Sequence, residues 1–364
     1  MKSSAYLLNF QIGVLAAFMG LTRAGHTQSI VTFDPPGSVD THPNAIDSFG
    51  RITGFYVDSS NQFHGFVRSP FGAITSFDAP GVVASGSVPI FPEAINDAGQ
   101  IAGSIVYPLG NNVFHARGFV RAPNGTLTEF DAKTDAVETR PQAINAQGWI
   151  AGVYFDASNA RHGFVRSPFG TITTFGELGI TAGVLQIRAN HEVIGYYLEP
   201  GGVVFHGFLR VQSGAFSTFD EPEVSLDTYG IYYKLYSGTL PTAASSTGYI
   251  VGYYGAAGKV IRGFIRTPAG VFSTLDIPGE WTTPSAVNAQ GTAAGEYYDA
   301  TLSRHGFVLH RNGVLESFDP PTSNLAVTGI ASDGSVIGQY YDPSGTVGHG
   351  FVRNPRAACA HFHF

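Results

Sequence analysis

Charge is scarce in this chain. Asp, Glu, Lys and Arg together supply 13% of its 364 residues, and the net charge is −7. With so little positive charge, none of it clustered, the chain lacks the basic face on which nucleic-acid binding depends. Cysteine is scarcer still: Cys359 stands alone and can form no internal disulfide, so the fold must rest on its core. Heptads and i, i+4 apolar stripes are missing, which excludes coiled coils and helical bundles. No apolar run of spanning length occurs beyond the N-terminus. What is present points one way. Hydrophobic residues make up 43%, too many for a disordered chain. The 46 Gly, 21 Pro, 28 Phe and 17 Tyr are the composition of many short strands joined by tight turns.

The N-terminus reads as an export signal. Lys2 is followed by the apolar run Ile12–Leu21, and Thr22-Arg23-Ala24 places small residues for cleavage after Ala24. The run of ten residues is too short to cross a bilayer. The expectation is a signal peptide over 1–24 and a secreted or periplasmic mature chain without a transmembrane span.

Self-similarity dominates the rest. His64-Gly65-Phe66-Val67-Arg68 returns around Gly118, Gly163, Gly207, Gly263, Gly306 and Gly350, at steps of 53, 45, 44, 56, 43 and 44 residues. A second segment precedes the copies, as in Ala45-Ile46-Asp47 leading to Gly50 and Gly54-Phe55-Tyr56. A third follows them, as in Ile74-Thr75-Ser76-Phe77-Asp78. Each segment is β-branched or aromatic and bounded by turn residues, which is the pattern of strands. Four short strands in about 45 residues is the size of a propeller blade. The expected fold is all-β: a seven-bladed β-propeller over 29–353, four short antiparallel strands per blade, followed by a tail over 354–364.

Turn chemistry sets a register. Ser69-Pro70-Phe71-Gly72-Ala73 suits a type I turn closed by a left-handed Gly, which puts Ser69 opposite Ala73. Counting back, His64 faces Asp78. The same count pairs Arg117 with Asp131, His206 with Asp220, Arg262 with Asp276 and His305 with Asp319. His162 faces Gly176 and breaks the rule. His349 would face His363, but the orphan segment Ser29–Pro35 offers Asp34 instead. An N-terminal strand would then complete the last blade and close the ring.

The unit Ala-Ile-Asn, Gly-x-Ile-x-Gly-x-Tyr, His-Gly-Phe-Val-Arg, Thr-x-Phe-Asp resembles the bacterial extracellular HAF repeats, with His-Gly-Phe where that family has His-Ala-Phe. The resemblance covers residues 29 to 353. It implies secretion and a repeat fold, and no defined chemistry.

The repeated histidines are expected to be structural, because symmetry gives each blade its own and they cannot converge on one ion. Cys359, His361 and His363 alternate along the tail without a fourth ligand, so no metal and no cofactor is expected. Function should lie where the copies differ. The longest connection contains Tyr229, Tyr232, Tyr233 and Lys234, and Trp281 lies in a second, a polar-aromatic mixture suited to stacking on sugar rings. Asn44, Glu93, Gln142, Ser285 and Thr328 precede the Ala-Ile-Asn segments and are placed at the channel mouth. The slot after the strand glycine varies as well, with Phe55, Ser104, Val153, Tyr196, Tyr253, Glu296 and Gln339 in turn, and Glu93 and Glu296, the carboxylates of these two sets, could do glycosidic acid–base work. Two readings remain. The first is a secreted, monomeric binding module for glycan or cell-envelope components. The alternative is a carbohydrate-active hydrolase or polysaccharide lyase with its site at the channel mouth.

Overall fold

Reverse turns built on left-handed glycines organise the chain. Gly72, at φ 94°, donates to the Ser69 carbonyl at 3.0 Å, and Ser69 donates to Ala73 at 2.7 Å. The computed structural model describes residues 29–355, apart from 84–85, 111–112, 177–179, 200–203, 224–236, 257–259, 278–280 and 323. The expected signal over 1–24 and the Cys359–His363 tail lie outside the described residues.

The first unit is an antiparallel meander of Ser38–Ile46, Ile52–Asp58, Phe63–Arg68 and Ile74–Phe77. The same four-stranded meander recurs over 90–130, 138–175, 180–219, 237–275 and 281–318. A further set over 325–353 has three strands of its own, and Ile30–Phe33 supplies the fourth by pairing with Gly348–Arg353. Among the described residues the antiparallel pairings thus sort into seven units. A small hairpin, Val82–Val83 with Gly86–Ser87, lies between the first two and has no counterpart in the repeat pattern. The described residues contain no helix. The fold is all-β and β-propeller-like. First strands of successive units lie side by side, and that of unit 1 lies against those of both unit 2 and unit 7. Single parallel bridges, such as Asp40 with Gly348 and Ile261 with Trp281, join neighbouring units.

The repeat residues build the joints. Phe66 and its equivalents Phe119, Phe164, Phe264, Phe307 and Phe351 are 0% exposed. Fully burying such a ring contributes about 1.5–3 kcal/mol. The Phe66 ring meets Phe33 of unit 7 edge-on at 6.0 Å, and Phe164 meets Phe130 of unit 2 at 5.9 Å. The repeat Arg caps the same joint from the next turn. Arg68 lies 4.8 Å over Phe33, Arg121 4.5 Å over Phe77 and Arg166 4.7 Å over Phe130, each on the fourth strand of the preceding unit. One joint departs: Leu309 replaces the Arg, and the facing position holds Leu275 instead of Phe; both pack in one apolar cluster.

Two glycines per unit answer to close approaches. Phe77 lies across Gly65, and a Cβ there would stand 2.6 Å from the ring. Gly54 faces a β-bulge. Pro43 pairs with Gly54 and Ala45 with Thr53, which leaves Asn44 unpaired and drives the His42 carbonyl inward. A Cβ on Gly54 would meet that oxygen at 2.0 Å. The same bulge leaves Glu93, Gln142, Thr242, Ser285 and Thr328 unpaired in their units. Pro43, Pro92, Pro141, Pro241 and Pro284 suit the position before it, since proline brings no N–H to leave unmatched.

The Asn of Ala-Ile-Asn joins units at the opposite turn. Asn145 Oδ1 accepts from the Gln147 and Trp149 N–H groups of its own turn, while Nδ2 donates to the Arg188 carbonyl of the next unit at 3.0 Å. Asn96 and Asn288 reach Asn145 and Ala331 in the same way. Asp47 has no such donor, and the Arg51 guanidinium reaches the Asp97 carbonyl in its place at 2.7 Å.

Candidate functional site

The cross-strand pairs are held as side-chain contacts. Nδ1 of His64 lies 2.6 Å from Asp78, that of His206 2.9 Å from Asp220, and that of His305 2.7 Å from Asp319. Arg117 Nε donates to Asp131 at 3.2 Å, and Arg262 forms an ion pair with Asp276 at 3.4 Å. His349 Nδ1 lies 2.8 Å from Asp34, on the strand from the other end of the chain.

A second carboxylate completes the arrangement. Asp58 stands 3.5 Å from His64 Nε2, Asp299 3.3 Å from His305 and Asp156 3.0 Å from His162. His162, which has no carboxylate opposite it, is thereby paired after all. A tyrosine of the adjacent strand stacks on each ring, Tyr56 on His64 at 4.8 Å and Tyr297 on His305 at 5.1 Å. Hydrogen bonds from the Thr301 hydroxyl and the Ser303 N–H, with His305, hold Asp299 well below the usual carboxylate range. Burial pulls the His305 pKa down, but the two carboxylates outweigh it and the net shift is upward. These groups are absorbed in fixing the turns, one set per unit.

The bulge residues form an inner belt. Asn44 Nδ2 donates to the Pro92 carbonyl at 2.8 Å, Thr242 Oγ1 to Pro284 at 2.5 Å and Thr328 Oγ1 to Pro43 at 2.6 Å, each reaching into the next unit. Gln142 accepts from the Val184 N–H at 3.1 Å. Glu93 breaks this series, because a carboxylate cannot donate. It is exposed by area yet surrounded by protein, and burial pushes its carboxyl up to about 7, with Arg140 opposing. Thr242 belongs to this set and escaped the sequence reading, since its Pro-Thr-Ala-Ala segment lacks the Ile-Asn signal.

Glu296 lies on the second strand of unit 6. Its Oε1 accepts from the Val327 N–H of unit 7, and Thr283 donates to Oε2 at 3.5 Å. Burial pushes it up to about 7, opposed by the Val327 N–H, Arg304 and Thr283. Units 1 and 7 separate Glu93 from Glu296, and no hydrogen bond or ion pair among the described residues joins them.

Trp281 requires a correction. It is not in a connection but opens the first strand of unit 6, Trp281–Val287, opposite Tyr298 and bridged to Ile261. The preceding Pro278-Gly279 gave the appearance of a loop. The half-buried Trp281 ring meets Tyr298 edge-on at 5.4 Å. Arg304, on the third strand, donates to the Tyr298 hydroxyl at 2.8 Å and to the Leu325 carbonyl at 2.7 Å. Trp281, Tyr298 and Arg304 thus stand in one row across three strands, with Glu296 and Thr283 paired in the row two residues further in. Tyr229, Tyr232, Tyr233 and Lys234 lie outside the described residues.

Neither a protein-family model nor a curated protein matches the chain. Solved structures do. A streptogramin B lyase aligns with a TM-score of 0.55 at 12% identity, over 90% of this chain and 98% of that one. The virginiamycin B lyase from Staphylococcus aureus aligns at 0.56 and 11% identity, over 90% and 99%. A fungal lectin from Aleuria aurantia, a six-bladed β-propeller with a fucose recognition mode, aligns at 0.41 and 12% identity, over 78% and 97%. At such identity the likeness to the two lyases shows the fold alone. No helix among the described residues is long and apolar enough to cross a membrane.

Proposed function

We propose that the protein is an exported binding module for glycans, built as a closed seven-bladed β-propeller whose blades are HAF-type repeats. Closure is supported by the pairing of Ile30–Phe33 with Gly348–Arg353 and by the Thr328 hydrogen bond to Pro43. The binding reading is carried by one observation. The row of Trp281, Tyr298 and Arg304, with Glu296 beside it, is an aromatic and polar constellation whose paired aromatic rings no other unit's row repeats, although unit 3 keeps an aromatic and an Arg at the same positions. Half-buried aromatic rings present a flat, low-entropy face to a sugar ring, and Arg304, held by the Tyr298 hydroxyl and the Leu325 carbonyl, sets a charge at its edge. The repeated His, Arg and Phe are taken up by contacts common to the units, whereas Arg304 and Glu296 make contacts particular to this row.

A glycan array combined with a polysaccharide-degradation screen tests this. Saturable binding to a defined glycan without cleavage is expected. Trp281→Ala should weaken that binding at least tenfold, while Trp281→Phe retains part of it. Because Trp281 is a strand residue, its loss to Ala also costs about 3 kcal/mol of stability, so the melting temperature is followed in parallel. Absence of any glycan ligand would overturn the reading.

The second reading, a hydrolase or lyase, is favoured by the carboxyls of Glu93 and Glu296, both pushed up to about 7, where a group serves as acid or base near neutrality. Cleavage in the same screen, abolished by Glu93→Gln or Glu296→Gln, would replace the binding module with an enzyme.

A further inference from the structure

We propose that Arg140, Phe155 and Arg161 of unit 3 form a site for the carboxylate of an acidic sugar. In register these residues are the counterpart of the Trp281 row. Glu138, Phe155 and Arg161 are direct partners across three strands, and Arg140 pairs with Val153 two residues nearer the bulge. Both guanidiniums stand 5.4 Å from the Phe155 ring. Two like charges are thus gathered on one aromatic side chain at the side of the unit facing unit 4, where Tyr196 also acts on Arg161.

Their pairing is incomplete. Arg140 forms an ion pair with Glu138 at 2.5 Å, yet its side chain remains 51% exposed. Arg161 is half-buried, and its Nε is buried with no hydrogen-bond partner among the described residues. Desolvation leads the causes that lower its pKa, and the neighbouring Arg140 charge adds to it while Glu138 opposes. A guanidinium presents its donors in a planar fork that matches a carboxylate. Glu138 neutralises one of the two cations and leaves one positive charge unmatched. Glu93 also acts on Arg140, but it titrates at about 7 and stays largely protonated at lower pH. One unmatched charge suits a singly charged carboxylate better than a dianionic phosphate. Phe155, half-buried beside the guanidiniums, offers the apolar surface that a sugar ring covers.

The carboxylate specificity rests on unit 3 alone. That the carboxylate belongs to a sugar rests on the binding reading above, and the experiment keeps the two apart. Oligogalacturonate, its methyl ester and a neutral oligosaccharide of equal length are titrated calorimetrically at about pH 6 against the full chain, Arg161→Gln, Arg161→Lys and Arg140→Gln. The expected result is binding of the free acid, at least tenfold weaker for the ester. Arg161→Gln should lose at least tenfold and Arg161→Lys less, with the melting temperature followed in parallel because Arg161 also lies over the Phe155 ring. Equal binding of acid and ester, or unaltered binding by both Gln variants, would overturn the carboxylate site and leave the glycan-binding reading intact. Failure of all three saccharides to bind would overturn the carboxylate site, and with it the glycan-binding reading if the glycan array also yields no ligand.

Discussion

A histidine between two carboxylates favours its protonated form, and that preference sets how stability responds to pH. His305 has a folded pKa above its unfolded value of about 6.5, so its contribution is complete below that value and is lost as pH rises through the folded one. Asp58, Asp156, Asp299 and Asp342 have folded values below the unfolded one of about 3.9, so theirs is present above it and is lost as pH falls. Glu93 and Glu296, raised to about 7, bind their protons more tightly when folded, and the fold weakens as pH climbs from about 4.3 toward 7. All three signs place the highest melting temperature between about pH 4 and 6. A melting series from about pH 3 to 9 checks this, and Glu296→Gln should flatten its alkaline side. A midpoint that rises steadily from pH 6 to 8 would contradict the assignment.

Part of this site was legible in the sequence. Turn length alone places His64 opposite Asp78, because a hairpin loop fixes register. The second carboxylate was written there too, as an Asp six residues before His64, His162 and His305. It passes unnoticed because that hairpin's turn has no Pro-x-Gly signature. Asn61, Asn159 and Leu302 take its left-handed position.

At the scale of the element, the informative joint is the exceptional one. Elsewhere an Arg of one unit lies over a Phe of the unit before, and only Leu309 meets Leu275. Such paired replacement is expected where two positions share one space. Leu309→Arg alone should destabilise the fold by about 1–3 kcal/mol, because a cation enters an apolar contact without a ring to lie on. Adding Leu275→Phe should recover most of that loss, a coupling measured by denaturant unfolding of the double-mutant cycle. Additive losses would deny the contact. These joints, like the bulge beside Pro43, depend on what the neighbouring unit presents. Periodicity in one strand carries no record of them, which is why the strands were readable and their mutual contacts were not. Trp281 illustrates the same limit: its partners Tyr298 and Ile261 place it in a strand that its Pro-Gly flank concealed.

For the whole molecule the decisive element is the short strand Ile30–Phe33. Phe33 is 7% exposed, lies against Gly350 and Phe66, and carries Arg68 over its ring. Phe33→Ala should cost about 3–5 kcal/mol. Deleting residues 25–35 should cost several kcal/mol and leave the edge of Gly348–Arg353 unpaired, with concentration-dependent association as its sign. Calorimetry with light scattering reads both. A deletion variant that melts like the parent and stays monomeric would show that the strand is dispensable.

That strand also dictates when the molecule can be finished. Asp34 and His349 meet across 315 residues of chain. Closing so long a loop in an unfolded chain costs on the order of 5 kcal/mol in entropy. The intervening units reduce that cost only once they have folded and curved the chain back on itself. A chain being made from its N-terminus therefore carries Ile30–Phe33 unmatched until its final strand arrives. A strand near the start of synthesis is thus among the last to be seated, and any interruption of synthesis before Gly348 leaves an apolar strand waiting for a partner.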